Sequence, residues 1–195
     1  MILDPSRRLL PIAAIAGFLA CNDDGLFHIT IEETAQTTVQ GGSLLEDLLG
    51  DLGFEEFVTV DLTASEELRN QGVEPGDIVN VTLTTFDLEV LSPDNGDLSF
   101  LDEMAVYVEA DGLPRMRVAF LDNFPEGQKY VSFNLDDADL TEYAVSEAMS
   151  IDTEVTGRSP ASDTTIKAYF VVDVGVTSQG ACNQWQASRE SSAEE

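Results

Sequence analysis

Long stretches of this chain alternate between apolar and polar residues, which is the pattern of β-strands with one buried face. The longest runs from Thr164 to Thr177, where every second residue from Ile166 to Val176 is apolar. The segment 34–42 is polar and threonine-rich and predicts a strand or a loop. Alternation predicts further strands over residues 26–31, 57–62, 78–91, 104–110, 115–121, 129–135 and 149–156.

One of these strands changes its buried face midway. In the range 78–91 the apolar positions move from the odd-numbered residues 79–83 to the even-numbered residues 86–90. A strand with a period of two residues cannot change faces without an extra residue. We therefore expect a bulge or a sharp bend near Thr84 and Thr85, or a strand that passes from one sheet to another.

The ranges 104–110 and 115–121 predict a hairpin around the turn 111–114. In its second strand we expect Met116, Val118 and Phe120 on one face and Arg115 and Arg117 on the other. Arginines are scarce in this acidic chain, so we expect both to offset carboxylates on a neighbouring strand. A site for an acidic ligand is the alternative.

Short helices are predicted at three places. Ser43 can cap a helix whose leucines at 44, 45, 48, 49 and 52 form one stripe, and this stripe either plugs one end of the β core or contacts a partner. We favour the plug, because so short a helix gains its stability from packing. Thr63 and Glu66 suit a capping box for a helix that ends before Gly72, and a third short piece contains Leu140 and Tyr143.

Eight or nine short strands with turn residues between them, and no long helices, predict an all-β fold. We expect an antiparallel β-sandwich, immunoglobulin-like in architecture, with two or three short peripheral helices. The Cys-Trp-Cys spacing of true immunoglobulin domains is missing, since Trp185 follows Cys182. An up-and-down barrel is the competing fold, and the change of face near Thr84 favours the sandwich.

The first residues resemble an export signal. Arg7 and Arg8 precede an apolar run from Leu9 to Ala20, whose length is within the ~7–15 residues of a secretory signal and below the ~20 residues of a membrane-spanning helix. The Leu19-Ala20-Cys21 sequence that follows resembles the lipobox of bacterial lipoprotein precursors, although Phe18 stands where that pattern has an aliphatic residue. The resemblance implies cleavage before Cys21 and acyl chains on Cys21. An ordinary signal peptide, with Cys21 free or paired to Cys182, is the alternative.

This interpretation divides the chain into four parts. Residues 1–20 are a signal peptide that is removed, and residues 21–25 are the lipidated cysteine with a short tether. Residues 26–178 form a single sandwich domain, and residues 179–195 are a mobile polar tail. Four residues span at most about 14 Å, so we expect the domain to lie against the membrane surface.

The net charge of the chain limits the classes of molecule that it can bind. The chain has 9 basic and 37 acidic residues, for a formal net charge of −28. Nucleic-acid binding needs clustered lysine and arginine, so this class is excluded. The same charge disfavours adsorption to anionic headgroups, which makes covalent attachment the more plausible link to a membrane. The expected partners are the membrane, through the acyl chains, and an envelope protein or glycan.

Two acidic clusters are candidate calcium ligands. Asp94 and Asp97 form the first, and Asp136, Asp137 and Asp139 form the second. The first matches only a fragment of a calcium-binding loop. In the second, the carboxylates repel one another unless a helix N-terminus or a cation relieves the repulsion. We favour a plain turn for the first cluster and a helix start, which favours anions, for the second. No other cofactor is indicated.

Catalytic motifs are missing from the sequence. There is no phosphate-binding loop, no nucleophile elbow and no metalloprotease motif, and His28 is the only histidine. We expect His28 to be a residue of a strand surface, because metal sites need clustered donors. Cys182 is the odd cysteine if Cys21 is acylated, and we expect it to be buried or a free surface thiol.

These observations predict an exported lipoprotein with a non-catalytic β-sandwich that binds a partner or stiffens the cell envelope. A calcium-dependent adhesion or carbohydrate-binding module is the alternative, and a hydrolase is a distant third. Residues 22–24 resemble acidic signals that direct some lipoproteins to the outer leaflet. We expect an outer-membrane location, with the periplasmic or surface face left open.

Overall fold

The computed structural model describes residues 26–42, 47–50, 66–70, 72–146 and 149–177. Within them the chain forms nine strands in two antiparallel sheets. The four-stranded sheet has the order β1-β9-β3-β6, and the five-stranded sheet has the order β2-β8-β4-β5-β7. The strands are β1 (Leu26–Val39), β2 (Asp47–Gly50), β3 (Ile78–Ser92), β4 (Leu101–Ala110), β5 (Met116–Leu121), β6 (Tyr130–Ser132), β7 (Asn134–Leu135), β8 (Met149–Arg158) and β9 (Thr164–Thr177).

Strand β9 organises the four-stranded sheet. It spans the predicted residues Thr164–Thr177 and pairs with β1 on one side and β3 on the other. Its even-numbered apolar residues from Ile166 to Val176 are all buried. Burying each large apolar side chain contributes about 1.5–3 kcal/mol, so this face stabilises the inner side of the sheet strongly.

The core lies between the two sheets. Phe170 and Leu88 of the first sheet and Met104 and Val106 of the second are all at most 2% exposed. The predicted all-β antiparallel sandwich of immunoglobulin-like architecture is confirmed. Two four-residue helices accompany it: α1 (Glu66–Arg69) contacts β1, and α2 (Thr141–Ala144) contacts β3 and β4.

The predicted bulge in β3 is confirmed. The register against β9 shifts between Leu83 and Thr85, and the Thr84 hydroxyl donates a hydrogen bond of 3.1 Å to the carbonyl of Val171. A second shift between Val79 and Val81, at Asn80, was not predicted. Asn80 has a φ of +54°, and this bulge turns Ile78 into the core instead of Val79.

The helix predicted after Ser43 is wrong over residues 47–50. These residues form β2, which pairs with β8 from Asp47–Arg158 to Gly50–Val155. The leucine spacing suits a helix, but a helix of two turns is marginal by itself. The edge of β8 offers backbone hydrogen bonds instead, and this pairing decides the outcome. The rest of the predicted helix lies outside the described residues.

The predicted strand over 129–135 is two strands in two different sheets. Strand β6 pairs with β3, and β7 pairs with β5. Phe133 lies between them, is 8% exposed, and packs edge-on against Phe86 at 5.0 Å between ring centroids. The chain crosses from one sheet to the other at this residue, so β6 and β7 help to close one side of the sandwich.

Two other local predictions have mixed outcomes. Strand β1 continues through the polar segment to Val39, and Phe27 is 53% exposed although it is in phase with the buried Ile29. Helix α1 lies inside the range predicted for the second helix, and Gly72 follows it with a φ of +63°. The predicted strand 57–62 and the cap at Thr63 lie outside the described residues.

Candidate functional site

A surface cleft of about 470 Å³ lies beside strand β6 and the loop that precedes it. We call it the Tyr130 cleft. Most of its side chains are exposed, and only Val131 is buried. The lining residues are Leu121, Asn123, Pro125, Gln128, Tyr130, Val131 and Ser132.

Tyr130 is held in place by a buried carboxylate. Asp87 is 6% exposed although it lies on the outer face of β3, and the Tyr130 hydroxyl donates a hydrogen bond of 2.5 Å to its Oδ2. This bond, together with desolvation of the phenol and the charges of Asp87 and Glu89, raises the pKa of Tyr130. Tyr130 as a whole residue remains 53% exposed, so its orientation is constrained while much of the residue stays accessible.

Packing and backbone hydrogen bonds hold the loop that lines the Tyr130 cleft, which connects β5 to β6. Phe124 is 6% exposed and packs edge-on against Phe133 at 6.0 Å between ring centroids. The amide of Leu98 donates a hydrogen bond of 2.9 Å to the carbonyl of Gln128, and the amide of Val90 donates one of 2.7 Å to the carbonyl of Lys129. These contacts fix the loop between β5 and β6 against the rest of the sandwich.

A second polar surface covers the outer face of the five-stranded sheet. The Arg115 guanidinium stacks on Tyr107, with Cζ 3.6 Å from the ring centroid. It forms ion pairs with Glu109 at 2.9 Å, with Glu154 at 2.5 Å and with Asp152. Burial lowers the pKa of Arg115, but the hydrogen bonds to Glu154 and Asp152 and the charges of these groups outweigh it, so the pKa is raised.

Arg117 pairs with Asp136 through two hydrogen bonds, of 2.7 Å from Nε and 3.3 Å from Nη2. The expectation that both arginines offset carboxylates is therefore confirmed, but of these carboxylates only Glu109, on β4, lies on a strand next to β5. The predicted faces of this strand are partly wrong, because Arg117 stacks over Phe120 with Cζ 4.1 Å from the ring centroid. The register between β4 and β5 shifts at Val118, so Phe120 lies on the arginine side.

Three of the five candidate calcium ligands have other partners. Oδ1 of Asp97 accepts hydrogen bonds from the amide and hydroxyl of Ser99, and these bonds lower the pKa of Asp97. Oδ1 of Asp139 accepts the same pair of bonds from Thr141 at the start of α2, which lowers the pKa of Asp139. Asp136 binds Arg117.

Asp94 and Asp137 are exposed. Within the described ranges, no group of three or more histidine, cysteine or acidic residues is arranged to hold a metal ion. The turn and the helix start are confirmed for Asp97 and Asp139, and calcium binding stays a prediction.

The other predicted residues are placed as follows. His28 is exposed on β1, as expected, and its Nδ1 lies 2.5 Å from Oδ2 of Asp173 on β9. Cys21, Cys182 and the polar tail lie outside the described residues. In the part of the chain that the structure covers, no helix is long and apolar enough to span a membrane.

Sequence reasoning missed the Tyr130 cleft. Its lining residues come from the end of β5, a turn and the start of β6, and each residue type is ordinary in such places. The one available signal was Tyr130 itself, an aromatic residue in the polar phase of the pattern formed by Val131, Phe133 and Leu135. The pairing of Tyr130 with Asp87, 43 residues earlier, has no sequence signature.

Comparison with solved structures gives a distant likeness, and the other two comparisons give no match. No family model and no curated protein matches the chain. Among solved structures, a chain from the acid-stable capsid structure of Helicobacter pylori bacteriophage KHP30 is 13% identical, with a TM-score of 0.33. The match covers 75% of this chain and 98% of that chain. A TM-score at this level carries no argument about fold or function.

Proposed function

We propose that this protein is an exported lipoprotein that is held in the outer membrane by acyl chains on Cys21. Its β-sandwich is a non-catalytic domain that binds an envelope component or contributes to envelope structure. The observation that carries this proposal is the start of β1 at Leu26, which leaves only the four residues 22–25 between Cys21 and the first strand. A tether of four residues spans at most about 14 Å, so an acylated Cys21 keeps the sandwich at the bilayer surface.

The strand direction then orients the domain. Strands β1 and β9 pair along their full lengths, from Leu26–Thr177 to Val39–Thr164. Fourteen residues of strand extend about 46 Å. The end with Leu26 and Phe27 lies next to the lipid, and the end with Val39 and Thr164 points away from it. The domain therefore projects its far end into the surrounding compartment.

Acyl chains on Cys21 would attach the protein to the membrane, which its net negative charge does not favour. A formal net charge of −28 repels anionic headgroups, so adsorption contributes little. Burial of acyl chains contributes about 0.8 kcal/mol per CH₂ group, and two or more chains on one residue give stable attachment. Membrane association should therefore persist at high salt and depend on a single sulfur atom.

The test replaces that sulfur. Cys21→Ser should move the protein from the membrane fraction to the soluble fraction, and mass spectrometry of the wild type should show a diacylglyceryl group on Cys21. Cys182→Ser is the matched control and should leave the protein in the membrane fraction. A Cys21→Ser variant that still sediments with membranes, or an unmodified mature Cys21, would overturn the proposal.

A further inference from the structure

We propose that the Tyr130 cleft binds an uncharged glycan. This inference rests on the proposed location in the cell envelope, and it adds the ligand class and the site. The argument uses the charge of the cleft, the chemistry of its lining, its rigidity and its distance from the membrane.

The lining of the cleft is uncharged in a strongly acidic protein. Its seven lining residues include no aspartate, glutamate, lysine, arginine or histidine. Two other cavities of the described surface contain carboxylates: Asp97 in one, and Glu103, Asp122 and Glu154 in the other. An anionic ligand finds no cationic partner in the Tyr130 cleft and is repelled by a net charge of −28.

The lining matches the two surfaces of a sugar ring. Asn123, Gln128 and Ser132 supply hydrogen-bond donors and acceptors without charge. Tyr130 and Pro125 supply flat apolar surfaces for the C–H face of a sugar.

The cleft is also preorganised. The hydrogen bond to Asp87 fixes the Tyr130 ring, and the buried Phe124 fixes the loop opposite it. Sugar binding loses affinity when mobile side chains must be ordered by the ligand. A ring that is held before the ligand arrives avoids that cost, so the Asp87 bond makes Tyr130 an effective stacking surface.

The cleft lies well away from the proposed anchor. Tyr130 is opposite Glu89, eleven residues along β3 from Ile78. Ile78 pairs with Val176, which also pairs with Phe27 at the anchored end. Eleven residues of strand correspond to roughly 35 Å, so a glycan could reach the cleft without steric conflict with the bilayer.

The experiment measures glycan binding by the full chain purified in detergent. An array should contain neutral oligosaccharides of glucose, galactose, mannose and N-acetylglucosamine, with heparin and polygalacturonate as anionic probes. We expect binding to at least one neutral series and none to the anionic probes. Calorimetry with the best neutral probe should show about a tenfold loss of affinity in Tyr130→Ala.

The matched control is Phe27→Ala, because Phe27 is also 53% exposed and lies at the other end of the sandwich. Phe27→Ala should bind the neutral probe like the wild type. A second variant, Gln128→Ala, should lose affinity without changing the aromatic surface. Melting curves of each variant check that the fold is kept.

Several results would overturn the glycan assignment. They are no binding to any neutral probe, stronger binding to an anionic probe, equal affinity in the wild type and Tyr130→Ala, or a protein partner whose capture depends on Tyr130. Each of these leaves the Cys21→Ser fractionation result untouched. Conversely, a soluble wild type that still binds neutral glycans removes the anchor and keeps the site.

Discussion

Arg115 is the most connected charged side chain on the outer face of the five-stranded sheet, and its removal gives a quantitative test. Its side chain is 31% exposed, and the guanidinium stacks on Tyr107 and pairs with Glu109, Asp152 and Glu154. Arg115→Met keeps an apolar stem over the ring but leaves three carboxylates without their cation. We expect this variant to be less stable because the carboxylates then repel one another.

The magnitude follows from the contacts. A partly exposed cation–π contact contributes about 0.5–1 kcal/mol. Each exposed ion pair contributes about 0.2–1 kcal/mol, and the three partners here are 40–57% exposed, so the lower half of that range applies. Together these terms predict a loss of about 2 kcal/mol. Lys167→Met breaks one exposed pair, with Glu89 at 2.6 Å, and should cost less than about 1 kcal/mol.

Urea denaturation measures the free energy of unfolding of both variants, and urea is uncharged, so the salt concentration can be set independently. At about 0.1 M salt we expect Arg115→Met to be destabilised by at least about 1 kcal/mol more than Lys167→Met. At about 1 M salt, where the Debye length falls to about 3 Å, the difference should shrink. Equal losses in the two variants, or a difference that does not change with salt, would refute the network interpretation.

Two further predictions concern the second bulge in β3, at Asn80, and the binding of calcium. A Cβ on Gly175 would lie 2.5 Å from the carbonyl oxygen of Val79, so Gly175→Ala should cost roughly 2 kcal/mol in urea denaturation. Gly76→Ala, with open space around the new Cβ, should be neutral or stabilising by up to about 1 kcal/mol, and the opposite order would contradict the bulge geometry. Millimolar calcium should not raise the melting temperature, because Asp97 and Asp139 accept local hydrogen bonds. A rise that Asp97→Asn abolishes would restore the calcium hypothesis.

Features that depend on neighbouring residues were predicted correctly from the sequence. The alternation from Ile166 to Val176 defined β9, and the change of apolar phase located the bulge at Thr84. The hairpin of β4 and β5 followed from two alternating runs around a turn. Each of these signals is local, because successive side chains of a strand point to opposite faces whatever the rest of the chain does.

Features that depend on distant partners were not predicted. Residues 47–50 became a strand because the edge of β8 was available, and 129–135 divided because β3 and β5 lie in different sheets. Phe120 changed faces because its strand bulges at Val118 against β4. In each case the local pattern allowed two outcomes, and backbone pairing with a remote strand selected one.

The sequence by itself therefore determined the fold class, the longest strand, the main hairpin and the acidic surface, since all of these follow from period and composition. Only the tertiary structure brought Tyr130 to Asp87 and left an uncharged cleft beside them. A cleft is defined by which segments meet, and contacts between segments far apart in sequence depend on sheet order and register. Sheet order and register are set by the packing of the whole sandwich, which no local pattern encodes.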